Sequence, residues 1–180
     1  SLFLIDNLKV SSIVFSMYLD QKVDIERARE IFDDCKSFDG VRLNFRLLSP
    51  KATVCMSKSG YIRSMGTKTI DDAKKAVQYA IDRLSEEGLV SNPVISKERI
   101  ENIVASGAFP QTLDLEYYAD VLSNNIYEPE QFPAVIYRPA GKVVCLLFAS
   151  GKYVIVGAKT LETVRSTYVT LRSTLNIDDA

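Results

Sequence analysis

The spacing of hydrophobic positions switches back and forth along this chain between two residues and about four. Alternation around Ser12–Leu19 predicts a strand, and "VDIERAREIF" predicts a helix. A meander of three or four strands follows, with glycine at its turns. A long helix over "TIDDAKKAVQYAIDRLSEEG" closes the series, with Ala73, Val77, Ala80, Ile81 and Leu84 as one apolar stripe. Thr69 is placed to cap its start, Asp72 stands at the third helical position, and Gly88 is placed to end it. The same order then recurs: a strand around Asn102–Ala108, a helix over "LDLEYYADVL", a meander, and a helix over "TLETVRSTYVTLRSTL". The last is a poorer helix former because of its β-branched residues. These stripes are read as core.

One strand departs from alternation. From Val143 to Phe148 every residue is apolar. An antiparallel strand with one solvated face should alternate, so both faces of this one are covered. Two helices per series shield one face of a sheet and not the other. An exposed apolar sheet face of that size marks a binding surface.

The chain repeats itself. "SGYIRSMGTKT" (59–69) aligns with "SGKYVIVGAKT" (150–160), pairing Gly60 with Gly151, Gly66 with Gly157 and Lys68 with Lys159. Upstream, "SSIVFSMYLDQKVDIERA" aligns with "ENIVASGAFPQTLDLEYYA", setting Val14 against Val104 and Asp24 against Asp114. Two versions of one unit are expected, over residues 1–90 and 91–180, joined by "SEEGLVSNPVISKER".

Composition narrows the function. The 180 residues are 47% hydrophobic and 25% charged, with no histidine. That removes the commonest general base and the commonest metal ligand. Nucleotide-binding, nucleophile-elbow and zinc-protease patterns are missing, so neither an enzyme nor a metal or other cofactor is expected. Cys35, Cys55 and Cys145 lack metal spacing and suit a reducing compartment. "SLFLIDNLKV" has no basic leader and is not expected to be a signal peptide. No apolar run approaches transmembrane length, and no membrane partner is expected. The net charge of −1 argues against nucleic acid, but its distribution does not. Residues 41–69 hold Arg42, Arg46, Lys51, Lys58, Arg63 and Lys68 without an acid; residues 132–160 hold Arg138, Lys142, Lys152 and Lys159, again without one. A basic, apolar sheet with acidic helices suits a nucleic-acid platform.

At "YEPEQFPAVIYR", "LLFASGK" and "GAK" the chain resembles the TATA-box-binding protein family. The resemblance runs from Ile100 to about Leu175, and the two-repeat order extends it to the whole chain. It implies an α+β fold: a two-repeat saddle whose curved antiparallel sheet carries its helices on the convex face. It also implies a general transcription initiation factor that lays its concave face on the minor groove of double-stranded promoter DNA and nucleates the preinitiation complex. In such binders phenylalanine pairs wedge between base steps and kink the duplex. Carried over by position, Phe132 and Phe148 match the kinking pair, and Asn102 matches an asparagine that donates to groove acceptors. Val104, Leu146, Val154 and Val156 match groove-facing positions, with Val156 in place of a usual threonine. Arg138 and Lys152 match phosphate contacts. Glu128 and Glu130 lie in the loop that meets a TFIIB-type factor; other initiation factors are further implied partners. The location implied is the nucleus, or the cytoplasm for an archaeal protein.

The first repeat departs from this pattern. Arg46 matches Arg138, which places Ser57 opposite Phe148 and Gly40 opposite Phe132. A two-residue slip brings Phe38 to that place, followed by Asp39. Ser12 replaces the asparagine, while Arg63 and Met65 stand where the family has valine and threonine. Arg63 remains a candidate groove contact. One wedge pair then bends DNA at one end only. A second reading is a scaffold that keeps the fold to bind initiation factors, with weak or no DNA binding of its own.

Overall fold

The computed structural model describes residues 3–35 and 39–177. In chain order it runs β1 (Phe3–Ile5), β2 (Leu8–Leu19), α1 (Ile25–Ile31), a single 3-10 turn (Asp33–Cys35), β3 (Leu43–Leu48), β4 (Lys51–Met56), β5 (Tyr61–Thr67) and α2 (Ile70–Glu86). Then come β6 (Ile95–Ala108), α3 (Leu115–Val121), β7 (Asn125–Ile126), β8 (Ala134–Tyr137), β9 (Val144–Phe148), β10 (Lys152–Ala158) and α4 (Leu161–Thr174). The fold is α+β and antiparallel, as expected. The opening strands of the two repeats are longer than alternation alone indicated.

Two compact units divide the chain: Ser12–Glu101, and Asn102–Ala180 together with Ser1–Ser11. Sequence repeats and compact units are thus different divisions, because β2 and β6 each supply residues to both units. In the first unit the strand order is β3-β4-β5-β2; in the second it is β6-β10-β9-β8-β7. The strand β1 pairs with the start of β2.

The short helices start alike. The carboxylates of Asp24 and Asp114 accept from the backbone N–H groups of Arg27 and Tyr117, each at 3.1 Å. The long helices also start alike, on Thr69 and Thr160, whose hydroxyls accept from Asp72 and Thr163 N–H at 3.0 Å. They end alike too. Gly88 (φ +71°) and Asn176 (φ +54°) take the left-handed conformation. Behind them Leu89 N–H donates to Leu84 C=O, and Ile177 N–H to Arg172 C=O. The predicted stripe of α2 is fully buried, with Ala76 added. It packs on β4 and β5, whose Val54, Met56 and Ile62 are fully buried. In the second unit Val164, Tyr168 and Leu171 of α4 are buried, and the helix packs on β10, with the Tyr168 ring 5.4 Å from that of Tyr153. Helices therefore take one face of the strands in each unit.

Gly60 and Gly151 show why the repeat needs glycine there. Their φ angles are +92° and +98°, and a Cβ on either would lie 2.3 Å from a carbonyl oxygen, of Leu19 and Gln111 respectively. Only a residue without Cβ fits.

Candidate nucleic-acid interface

In the second unit, alternation leaves one face of the sheet without helices. Val104 and Ser106 of β6, Val154 and Val156 of β10, Val144, Leu146 and Phe148 of β9, and Ile136 of β8 are half-buried on it. Their partners in alternation, such as Cys145, Leu147 and Ile155, are fully buried on the other face. The all-apolar strand of the sequence is thus apolar on both faces, one packed and one open. Cross-strand pairing lines up a row Ser106–Val154–Leu146–Ile136.

Phe132 and Phe148 meet at the end of this face, rings 6.0 Å apart and nearly edge to face at 67°. Phe132 is 38% exposed. Its N–H donates to the Glu128 carbonyl at 3.0 Å, so the loop that positions the ring also displays the exposed side chains of Glu128 and Glu130. Asn102 is oriented by its neighbour: its Oδ1 accepts from Gly157 N–H at 2.7 Å. That bond uses the acceptor end of the amide and leaves its donor end for a ligand. Gly157 sits in an irregularity of the β10–β6 pairing with φ +96°, and this turns its N–H toward the asparagine. Arg138 and Lys152 are exposed at strand ends on the same side by alternation. The structure thus gathers all the residues expected in this repeat.

The first unit repeats the scaffold with other side chains. Gly60 N–H donates to Ser57 C=O and Gly151 N–H to Phe148 C=O, both at 3.0 Å. The turn register therefore sets Ser57 in the place of Phe148. Leu43 pairs with Met56 as Val135 pairs with Leu147, which sets Arg46 in the place of Arg138 and Gly40 in that of Phe132. Phe38 lies outside the described residues. Asp39 is tied to Arg42, with Nε to Oδ2 at 2.6 Å. The row equivalent to Ser106–Val154–Leu146–Ile136 is Ser16–Arg63–Cys55–Asn44. Arg63 Nε is buried without a hydrogen-bond partner among the described residues. Ser12 and Met65 are half-buried on this face.

Three features of this unit escaped sequence reasoning. Asn44 and Cys55 complete the polar row; only the cross-strand register could reveal them. Glu101 brings a carboxylate to Ser16, whose hydroxyl donates to it at 2.7 Å. Tyr61 holds the place of Lys152, across from Ser57 on the neighbouring strand β5, and its ring lies 5.2 Å from that of Tyr18. Lys97 caps Tyr18 from 5.3 Å.

Among the described residues no group of His, Cys, Asp or Glu is arranged to hold a metal ion. Burial pushes the Cys145 thiol up to about 12 and the Cys35 thiol to about 11, so both are poor nucleophiles.

A family model described as transcription factor TFIID (or TATA-binding protein, TBP) matches residues 7–87 and again 97–176. The TATA-box-binding protein of Methanothermobacter thermautotrophicus is 37% identical over 164 residues, covering 87% of each chain. That of Sulfurisphaera tokodaii is 42% identical over 164 residues, covering 87% of this chain and 80% of its own. Among solved structures, Methanococcus jannaschii TBP aligns with a TM-score of 0.82 at 29% identity, covering 95% of this chain and 99% of that one. With both repeats matched by one family model and the fold matched nearly end to end, the chain belongs to the TATA-binding protein family.

Proposed function

We propose that this chain is a general transcription initiation factor that binds promoter DNA in the minor groove and nucleates the initiation complex. The observation that carries this is the Phe132–Phe148 pair on an open apolar sheet face. Such a face is costly in water and stable against the floor of a minor groove. A pair of aromatic rings at its end enters a base step, and the unstacking, a few kcal/mol per step, is offset by the added groove contact. Val104, Leu146, Val154 and Val156 press on base edges. Asn102 donates to the acceptors that every A·T pair presents there. Arg138, Lys152 and Arg46 neutralise phosphates and so supply affinity without sequence preference.

The family resemblance implies that Glu128 and Glu130, exposed on the loop that carries Phe132, meet a TFIIB-type factor. The archaeal origin of the relatives supports an archaeal cytoplasm over a nucleus as the place of action. The scaffold reading is favoured by one observation, the serine at position 57 where the second unit has its wedge. Fluorescence anisotropy with a TATA duplex, with and without a TFIIB-type factor, separates the two. Minor-groove binding predicts saturable binding of the duplex by the chain alone, competed by a minor-groove drug. Binding only through the added factor would establish the scaffold.

A further inference from the structure

The two open faces differ in chemistry along one register. Position by position, Ser106–Val154–Leu146–Ile136 in the second unit corresponds to Ser16–Arg63–Cys55–Asn44 in the first. Three aliphatic side chains are replaced by a guanidinium, a small thiol and an amide. Beside them Glu101 presents a carboxylate whose Oε1 accepts from Ser16 and from Arg99 Nε at 3.2 Å. The corresponding contact in the second unit is hydroxyl to hydroxyl, Ser11 with Ser106 at 2.8 Å.

Minor-groove chemistry gives this difference a meaning. An A·T pair shows only acceptors on the groove floor, whereas a G·C pair adds the protruding amino donor of guanine. A flush aliphatic row excludes that amino group twice over, by contact and by burying its N–H unpaired. A carboxylate does the reverse. Facing adenine N3 and thymine O2 it meets only acceptors, but facing guanine it accepts a charge-assisted hydrogen bond. Cys55 and Asn44, smaller and more polar than Leu146 and Ile136, remove aliphatic bulk where the amino group protrudes. Arg63, whose buried Nε has no hydrogen-bond partner among the described residues, holds a positive charge in the same row and offsets the negative charge of Glu101.

We infer that the first unit takes a G·C-containing half-site, reading the guanine amino group with Glu101 and the polar row, while the second unit demands A·T. This rests on the minor-groove reading above and specifies its sequence preference. Pairs of guanine and inosine duplexes test it, since inosine lacks only the amino group. A single G·C pair placed in either half of an A·T site should bind within about twofold of its inosine counterpart, because the protein turns to put that half under the first unit. With G·C in both halves, one amino group must meet the aliphatic row, and binding should be about tenfold weaker than with inosine. The triple variant Asn44→Ile, Cys55→Leu, Arg63→Val copies the second unit's row. It should show the tenfold penalty already with one G·C pair, and Glu101→Ala should move in the same direction. Circular dichroism melting confirms that each variant is folded; should the triple variant fail to fold, Glu101→Ala decides alone. A tenfold guanine penalty in wild type with a single G·C pair would overturn the inference while leaving minor-groove binding intact. So would identical guanine-to-inosine ratios in wild type and Glu101→Ala. Failure to bind even the all-A·T duplex would overturn the minor-groove reading itself, and this inference with it.

Discussion

At the scale of the residue, neighbours along one strand have opposite duties. Leu147 is fully buried and Phe148, next to it, faces outward. Leu147→Ala should cost about 2–5 kcal/mol of stability through the cavity it leaves. Phe148→Ala and Phe132→Ala should barely change the melting temperature and should weaken DNA binding strongly. Paired calorimetry and anisotropy check this; a large drop in melting temperature with affinity intact would make the phenylalanines core residues. Gly151→Ala is the backbone counterpart. A Cβ there lies 2.3 Å from the Gln111 carbonyl oxygen, and φ is +98°. The variant should lose at least about 1–3 kcal/mol in chemical denaturation, as strained backbone positions do. The sequence made these glycines visible through their recurrence in both repeats. It could not show that Asn102 spends its carbonyl on Gly157 N–H, because that bond spans 55 positions and depends on a local irregularity of pairing.

At the scale of the element, alternation and periodicity carried most of the fold. The stripe of α2, its Thr69 cap and its Gly88 stop follow from local chemistry, and so they were legible. β7 was not, because two residues, Asn125–Ile126, carry no periodicity. The polar row Ser16–Arg63–Cys55–Asn44 was equally hidden, since its members come from four strands and share a line only through register. Register itself is open to test through the thiols. Cys145 and Cys55 occupy adjacent places in matching strands, β9 and β4, but opposite faces. A thiol reagent should modify Cys55 in the native protein and leave Cys145 and Cys35 unreacted until unfolding. A TATA duplex should slow the Cys55 reaction if the open face of the first unit lies on the groove. Equal rates with and without saturating DNA would place that face elsewhere.

For the whole molecule, the net charge of −1 misleads and the distribution informs. Reversing Arg138 or Lys152 should weaken binding to all sequences alike and lower the salt slope by about one unit per lost phosphate contact. Reversing Glu128 or Glu130 should leave binary binding in place and impair recruitment of a TFIIB-type factor. The same asymmetry governs bending. The second unit offers two phenylalanines, and the first offers Ser57 and Gly40 in their places. Serine and glycine present no broad apolar face to hold a base step apart. Tyr18 and Tyr61 do lie nearby, but their rings lean on one another, Lys97 covers Tyr18, and both stand one or two strands inward of the wedge position. The complex is therefore expected to kink DNA at the end held by the second unit. Ser57→Phe is the variant to restore the other kink. Gly40→Phe is not, because Gly40 has φ +75° and a side chain there is strained. Energy transfer between dyes on the two ends of a short TATA duplex should report a modest bend in wild type. The bend should be lost in Phe148→Ala and increased in Ser57→Phe. A wild-type bend that survives the loss of Phe148 would assign the kink to the tyrosine pair, and would show that the wedge has moved inward rather than disappeared.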